Sequence, residues 1–205
     1  MPVLPKTMTK IIGITGGIAS GKSTVAEHIR RAGYKVIDAD QVVHELQKKG
    51  GRLYQALILA FGTEILAADG ELDRPKLAQL IFSSKENQEK SAKLQNRIIR
   101  EELAGRRDAL AAKESIFFMD IPLLLELDYQ DWFDEIWLVY VDEDKQLERL
   151  MKRNHYSLDE AAKRLAAQMP LQNKKKFAQV IIDNNGSPKE TLQQLQLQLK
   201  RLADG

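Results

Sequence analysis

The chain has 205 residues with 31 basic and 29 acidic side chains, a formal net charge of +2 and no cysteine. This length suits one substantial core with attached lobes, and a nearly balanced charge argues against wholesale binding of nucleic acid. The lack of cysteine excludes disulfides and thiolate chemistry and fits a cytoplasmic protein, and no apolar run has the length of a signal peptide or a membrane span, so no membrane partner is expected.

Five apolar runs rich in β-branched or aromatic residues predict buried strands, and a helix-patterned segment separates each run from the next. The runs cover residues 10–15, 34–38, 115–121, 135–141 and 180–183. Strands that alternate with helices favour a parallel sheet, because parallel neighbours need long crossovers. The predicted fold class is therefore α/β, with a five-stranded parallel sheet that carries helices on both faces.

Two intervals are too long for simple crossovers and predict separate lobes. Residues 41–113 are charged and mostly helical in pattern. Residues 145–178 contain two short helix patterns followed by Pro170 and a basic run at 174–176, which is typical of a hinged lid. Residues 10–40, 114–144 and 179–203 remain as the predicted core.

The stretch "GITGGIASGKST" lies between the first strand and the first helix and satisfies the phosphate-binding pattern G-x-x-x-x-G-K-[ST]. Glycines let the backbone wrap around an anion with its N–H groups inward, and the helix N-terminus adds positive charge. Lys22 would reach the β- and γ-phosphates, and the Ser23 hydroxyl would bind Mg²⁺. A turn that merely starts a helix is the structural alternative. The residues predicted to bind a nucleoside triphosphate are Gly16, Gly17, Ile18, Ala19, Ser20, Gly21, Lys22, Ser23 and Thr24.

The rest of the chain favours a small-molecule kinase over other triphosphate-binding proteins. A GTP switch needs N-K-x-D after D-x-x-G, but the nearest matches, "NKKK" at 173 and "DNNG" at 183, come in the wrong order. Motor ATPases need a longer chain with a Walker-B "DE". A small-molecule kinase needs an acceptor lobe, a lid with arginines and a carboxylate near the phosphates, and residues 41–113, residues 145–178 and "VIDAD" supply these.

The carboxylates of "VIDAD" follow the second strand, at the edge of the sheet where ligands bind in open parallel sheets. Asp40 is the candidate general base, and Asp38 is its competitor. Capping of the following helix is the structural alternative for Asp40, because it directly precedes "QVVHEL".

Three arginines of the predicted lid are candidates for neutralising phosphate charge. Arg149 and Arg153 are four residues apart and share a helix face, and Arg164 follows on the next helix pattern. A solvated face that pairs with Glu148 and Asp159 is the structural alternative.

Asp120 ends the third strand, where it would bind Mg²⁺ in the Walker-B manner or simply terminate the strand. His28, His44 and His155 show no metal-binding spacing, so packing or surface roles are expected for them.

Several segments resemble the dephospho-coenzyme A kinase family over residues 10 to about 200. They are "GITGGIASGKSTVA", "GYKVIDAD", "ADGELDRPKLAQLIF", "IPLLLE", "QLERLMKRN", "RLAAQMP" and "VIIDNNGS", in this order. The resemblance implies a P-loop NTPase fold and the transfer of the ATP γ-phosphoryl group, with Mg²⁺, to the ribose 3′-hydroxyl of dephospho-coenzyme A. This is the last step of coenzyme A biosynthesis.

The resemblance also implies roles for individual residues. Asp40 would be the acidic base, Arg149 and Arg153 the lid arginines, and the loop from Asn184 to Gly186 would lie on the adenine side. The lobe that holds Arg74 would receive the coenzyme A portion. The residues predicted to bind substrate are Asp40, Arg74 and Arg164.

The chain departs from the family pattern at several positions. Ala19 replaces a further glycine, which we expect a loop residue with negative φ to accept. "NRII" at 96–99 replaces a His-Pro pair, Asn154 replaces an aspartate after Arg153, and Gln179 replaces an aspartate after Ala178.

Two other functions stay open from the sequence. One is a P-loop kinase for a nucleoside, a nucleotide or a shikimate-like alcohol, although the large lobe favours a longer acceptor. The other is a non-catalytic nucleotide sensor. The sequence also leaves open the choice between ATP and GTP, the oligomeric state, and whether Met1 or Met8 is the native start.

Overall fold

A computed structural model describes residues 9–204 of the chain, so Met1 and Met8 lie outside the described residues. The chain divides into two compact units. The first unit consists of the described residues up to Ile37 and from Ala111 onward, and the second spans Asp38–Leu110. The functional division into a core (10–40, 114–144 and 179–203), an acceptor lobe (41–113) and a lid (145–178) stays a prediction, because compactness assigns no function to a lobe.

The first unit is built on the five-stranded parallel sheet that the sequence predicts. Its strands are β1 (Lys10–Gly16), β2 (Val36–Asp38), β3 (Ile116–Asp120), β4 (Glu135–Tyr140) and β5 (Val180–Asp183). They lie in the order β2-β3-β1-β4-β5. The first strand therefore lies at the centre, and the loop that follows it emerges between β3 and β4, at the carboxyl edge of the sheet.

Helices cover both faces of the sheet, which explains why its strands read as continuous apolar runs. On one face, Ile14, Phe118 and Trp137 pack with α1 (Lys22–Arg31) and α9 (Pro188–Asp204) in one buried cluster. Side chains that alternate with these, such as Phe117 and Leu138, are fully buried on the other face. The remaining helices of this unit are α6 (Glu143–Asn154), α7 (Leu158–Ala166) and α8 (Leu171–Lys174).

The second unit is helical, as the sequence predicts. Its helices are α2 (Ala39–Gln47), α3 (Arg52–Phe61), α4 (Arg74–Phe82) and α5 (Lys85–Ala111), the last of which ends at the unit boundary. Its own core includes Leu53, Leu57, Ile65 and Leu103, each at most 1% exposed.

Short 3₁₀ turns span Thr63–Ile65, Gln130–Trp132 and Lys175–Phe177. Within residues 9–204, no helix combines the length and apolar character needed to cross a membrane.

Candidate active site

The phosphate-binding loop connects the end of β1 at Gly16 with the start of α1 at Lys22. Two of its residues adopt left-handed backbone conformations: Gly21 has a φ of 92° and Ala19 a φ of 59°. The expectation of a negative φ at Ala19 is therefore wrong. For a residue with a Cβ, this conformation lowers the stability of the folded protein by about 1–2 kcal/mol, and glycine at position 19 would avoid that loss.

Three glycines of the loop lie where a side chain would not fit. A Cβ on Gly21 would lie 2.1 Å from Asn184 Nδ2, and one on Gly17 would lie 2.6 Å from Gln146 Nε2. A Cβ on Gly16 would lie 2.6 Å from Ser20 Oγ, a buried hydroxyl that has no hydrogen-bond partner among the described residues. Close packing therefore favours glycine at these positions, against side chains from other segments at Gly17 and Gly21 and against the loop's own Ser20 at Gly16.

The N-terminus of α1 is suited to an anion. Gly21 caps the helix without a side-chain hydrogen bond, and the first turn contains no acidic residue. Ser23 and Thr24 are exposed in this turn, and Lys22 begins it. The positive end of the helix dipole is therefore left for a ligand, and a phosphate is the group that such an arrangement attracts.

Lys22 and Asp120 form an ion pair beside the loop. Lys22 Nζ donates to Asp120 Oδ1, and the two side chains are 12% and 4% exposed. They meet because β1 and β3 are parallel neighbours whose carboxyl ends lie together. The strand-end position predicted for Asp120 therefore places it next to the loop's lysine.

Ser23 and Asp120 offer the oxygen ligands that Mg²⁺ prefers. Among residues 9–204, no group of three or more histidine, cysteine or acidic side chains could hold a metal by itself. This donor set fits Mg²⁺, because that ion is commonly held by one or two protein oxygens together with phosphates and water.

A cavity of about 520 Å³ opens beside the loop. The loop and α1 form one wall, and residues from α6 and the start of α9 form the others. Val25 and Leu192 supply apolar surface, while Arg149 and Arg153 supply charge. A cavity of this size and mixed lining is typical of a site for a small molecule such as a nucleoside.

The structure brings two of the three predicted arginines to this cavity. Arg149 Nη2 donates to the backbone oxygen of Asn184 at 2.9 Å, and Arg153 lies on the same wall. Arg164 instead stacks over the ring of Tyr156, with its guanidinium carbon 4.4 Å from the ring centroid, and is not among the residues that line the cavity.

Asn184 also lines the cavity, and its side chain is bonded on both sides. Its Nδ2 donates to Ser20 O at 2.7 Å, and its Oδ1 accepts from Thr191 Oγ1 at 2.9 Å. Asn184 thus ties the loop after β5 to the phosphate-binding loop. Gly186 lies two residues further on, where a Cβ would come within 2.4 Å of Glu190 Oε2.

The two candidate carboxylates have different surroundings in the second unit. Asp38 is the N-cap of α2, and its Oδ1 accepts from Gln41 N at 3.1 Å. The helix-capping alternative for Asp40 is therefore wrong, because α2 begins at Ala39 and Asp40 lies in its first turn. Asp40 is exposed, whereas Asp38 is engaged by the helix.

Arg74 lies in a small basic site of the second unit. Its Nη2 donates to Gln47 Oε1 at 3.3 Å and lies 3.3 Å from His44 Nδ1. These side chains line a cavity of about 210 Å³ together with Lys48. Glu71 also lines this cavity, so Arg74 and Lys48 leave a small excess of positive charge beside His44, which suits an anionic group such as a pyrophosphate.

Comparison with known proteins identifies the family. The family model described as dephospho-CoA kinase matches residues 10–190. The chain belongs to the dephospho-CoA kinase family. It is 65% identical over 195 residues to the dephospho-CoA kinase of Streptococcus agalactiae, covering 95% of this chain and 100% of that protein. The dephospho-CoA kinase of Streptococcus mutans is 64% identical, over 95% of this chain and 98% of that protein.

A solved structure of a dephospho-CoA kinase agrees with the fold. The structure from Campylobacter jejuni superposes with a TM-score of 0.75 at 26% identity, over 97% of this chain and 99% of that one. The predicted P-loop kinase fold and the predicted family are both confirmed.

The departures from the dephospho-CoA kinase pattern have local explanations. Asn154 Oδ1 accepts from Arg153 Nε at 2.8 Å, so an amide still orients that arginine. Gln179 Oε1 accepts from Ile136 N at 2.7 Å and extends the pairing of β4 with β5. Asn96 and Arg97 lie inside α5, which is continuous from Lys85 to Ala111.

Sequence reasoning missed three polar side chains that contact the phosphate-binding loop: Gln146, Gln168 and Lys174. The sequence places Lys174 in the basic run of the predicted lid, but the residue is only 1% exposed. Burial lowers the pKa of Lys174, and the Glu126 carboxylate opposes that effect. A run of three lysines is an ordinary surface pattern, so only the tertiary packing distinguishes the first of them.

Proposed function

We propose that this chain catalyses transfer of the γ-phosphoryl group of ATP to the ribose 3′-hydroxyl of dephospho-coenzyme A, giving coenzyme A and ADP. The family match over residues 10–190 carries the proposal, because it spans the phosphate-binding loop, the helical unit and the arginine-bearing helices. The enzyme is thus a phosphotransferase with an alcohol as acceptor, and its place is the last step of coenzyme A biosynthesis.

The loop from Gly16 to Thr24 would bind the triphosphate of ATP. Its amides, the uncapped start of α1 and the ammonium of Lys22 provide the positive surroundings that the β- and γ-phosphates need. The adjacent cavity would take the nucleoside, with Asn184 and Gly186 on the adenine side.

Ser23 and Asp120 would hold Mg²⁺ at this site. When bound, the ion neutralises charge that develops on the phosphate oxygens during transfer. Chelation with EDTA followed by titration with Mg²⁺ tests this assignment, and full turnover in the absence of a divalent cation would refute it.

Asp40 would act as the general base. In the reaction, the acceptor oxygen forms a bond to the γ-phosphorus, the bond from that phosphorus to the β,γ-bridging oxygen breaks, and the hydroxyl proton passes to Asp40. The exposure of Asp40 supports this choice over Asp38, whose carboxylate already bonds the backbone of α2.

The arginines would stabilise charge around the reaction. Arg149 and Arg153 line the nucleotide-side cavity, which supports a role toward the transferring phosphoryl group. Arg164 would join them as a substrate-binding residue only after leaving its stacked position on Tyr156. Arg74 would bind the pyrophosphate of the coenzyme A portion, as its basic surroundings in the second unit suggest.

A panel of acceptors tests the reaction. Release of the nucleoside diphosphate, ADP from ATP or GDP from GTP, is measured with dephospho-coenzyme A, adenosine monophosphate, adenosine or shikimate as acceptor. We expect the highest kcat/KM for ATP with dephospho-coenzyme A. Higher turnover on another acceptor would assign a different P-loop kinase, and ATP binding without any transfer would assign a nucleotide sensor. The cytoplasmic location stays a prediction that cell fractionation tests.

A further inference from the structure

The backbone oxygens of the phosphate-binding loop are bonded by side chains from distant parts of the chain. A loop that turns its N–H groups toward an anion must turn carbonyl oxygens outward, and buried carbonyls need donors. Gly16 O accepts from Lys174 Nζ at 3.2 Å, Ile18 O from Gln146 Nε2 at 2.7 Å and Ser20 O from Asn184 Nδ2 at 2.7 Å. The carbonyl oxygen of every second residue from 16 to 20 thus accepts a hydrogen bond from a side chain outside the loop.

The ammonium of Lys174 is fully used in this support. Besides Gly16 O, it bonds Pro122 O at 3.1 Å and pairs with Glu126, whose nearer oxygen lies 2.9 Å away. An ammonium has three N–H donors, so these three partners satisfy it completely. Because the side chain is fully buried, water cannot replace Lys174 at Gly16 without rearrangement.

Gln146 holds the loop at Ile18, two residues after Gly16. It lies on α6 and is 4% exposed. The same loop residue, Ile18, also donates its N–H to Gln168 Oε1 at 2.9 Å. Both polar backbone groups of Ile18 are therefore bonded by glutamine side chains from the predicted lid, and a Cβ on the neighbouring Gly17 would collide with Gln146.

We propose that Lys174 and Gln146 are positioning residues for phosphoryl transfer. They hold the carbonyl oxygens of Gly16 and Ile18 turned outward, so that the N–H groups of the same two peptides, those of Gly17 and Ala19, face the β- and γ-phosphates. Loss of either donor leaves a buried carbonyl unpaired, and rotation of that peptide toward water or a cation places its negative end in the phosphate site. The inference rests on the proposed function only for its turnover readout.

The test replaces each donor with an isosteric apolar side chain, Lys174→Met and Gln146→Met. Matched controls are Lys176→Met, two residues from Lys174, and Gln196→Met on α9, because both residues are exposed. The affinity for ATP is measured by calorimetry with Mg²⁺, at a temperature where circular dichroism shows each variant folded. Initial rates give KM for each substrate and kcat.

We expect both variants to bind ATP at least about tenfold more weakly than wild type, with KM for ATP raised in parallel and KM for dephospho-coenzyme A unchanged. The controls should retain wild-type values. A merely structural role predicts a lower melting temperature with ATP affinity within about twofold of wild type in the folded protein, and that result would overturn the proposal.

The second variant and the calorimetric measurement let the experiment decide the positioning role in every case. Gln146→Met removes one neutral hydrogen bond, so this variant tests the proposal even if Lys174→Met, which leaves the partly buried Glu126 without its cation, fails to fold. Calorimetry does not depend on the acceptor. If wild type fails to phosphorylate dephospho-coenzyme A, the proposed function fails, whereas the effect of the variants on ATP affinity still decides the positioning role.

Discussion

Substitution of Gly21 by alanine tests the geometry of the phosphate-binding loop most directly. Gly21 has a φ of 92°, and a Cβ there would lie 2.1 Å from Asn184 Nδ2. Two costs therefore add. The left-handed backbone costs alanine about 1–2 kcal/mol. Displacement of Asn184 leaves the backbone oxygen of Ser20 without its donor, which costs about 1–3 kcal/mol more if the site stays buried.

Gly33 offers a matched control in the same unit. Its φ of 97° is close to that of Gly21, but a Cβ there would meet nothing within 4 Å. Gly33→Ala therefore carries the backbone cost alone. The small gain from a less flexible unfolded chain applies equally to both variants and cancels in the comparison.

Urea unfolding measures the free energies, and calorimetry with Mg²⁺ measures ATP affinity. We expect Gly21→Ala to unfold with about 1–3 kcal/mol less free energy than Gly33→Ala and to lose ATP binding, while Gly33→Ala binds ATP as wild type does. Equal losses of stability, together with intact ATP affinity in Gly21→Ala, would show that the contact with Asn184 does not shape the loop.

Three further outcomes are expected. Asp40→Asn should abolish turnover and retain ATP affinity, whereas Asp38→Asn should stay active because asparagine caps a helix as well as aspartate does; equal rates in the two variants would remove Asp40 from the mechanism. Lys22→Met should weaken ATP binding in calorimetry and lower kcat together, and wild-type values would discredit the loop assignment. The hydrogen bond to Asp142 raises the pKa of Tyr140 to about 12 from 10.0. The folded protein then keeps a proton that the unfolded chain loses, so this contribution to stability is complete below pH 10 and disappears as the pH rises through 12. Absorbance titration of wild type against Tyr140→Phe measures the shift, and Asp142→Asn should reduce it.

Much of the site could be predicted because its signals are local. The motif from Gly16 to Ser23 lies on consecutive residues, and its mechanism needs only a strand before it and a helix after it. Asp38 and Asp120 could be predicted near the site because they end β2 and β3, and parallel strands end at a common edge of the sheet. The pairing of Lys22 with Asp120 follows from that arrangement.

Other features of the site could not be read from residue types. Alanine usually has a negative φ, so the left-handed backbone of Ala19 became visible only in the closed loop. The sequence offers helix capping only as the alternative role of Asp40, whereas the cap of α2 is Asp38. The two aspartates are chemically equivalent as caps, and only the backbone shows where the helix begins.

The sequence by itself determined the parallel sheet, the helical lobe and the phosphate-binding loop of this chain. Each of these depends on periodicity or on neighbours along the backbone. Tertiary structure alone decided which polar side chains support the loop. Lys174 is one of three consecutive lysines, yet it alone is buried against Gly16 and Glu126. Such a role depends on which surfaces meet after folding, and no sequence pattern predicts a contact between side chains more than a hundred residues apart.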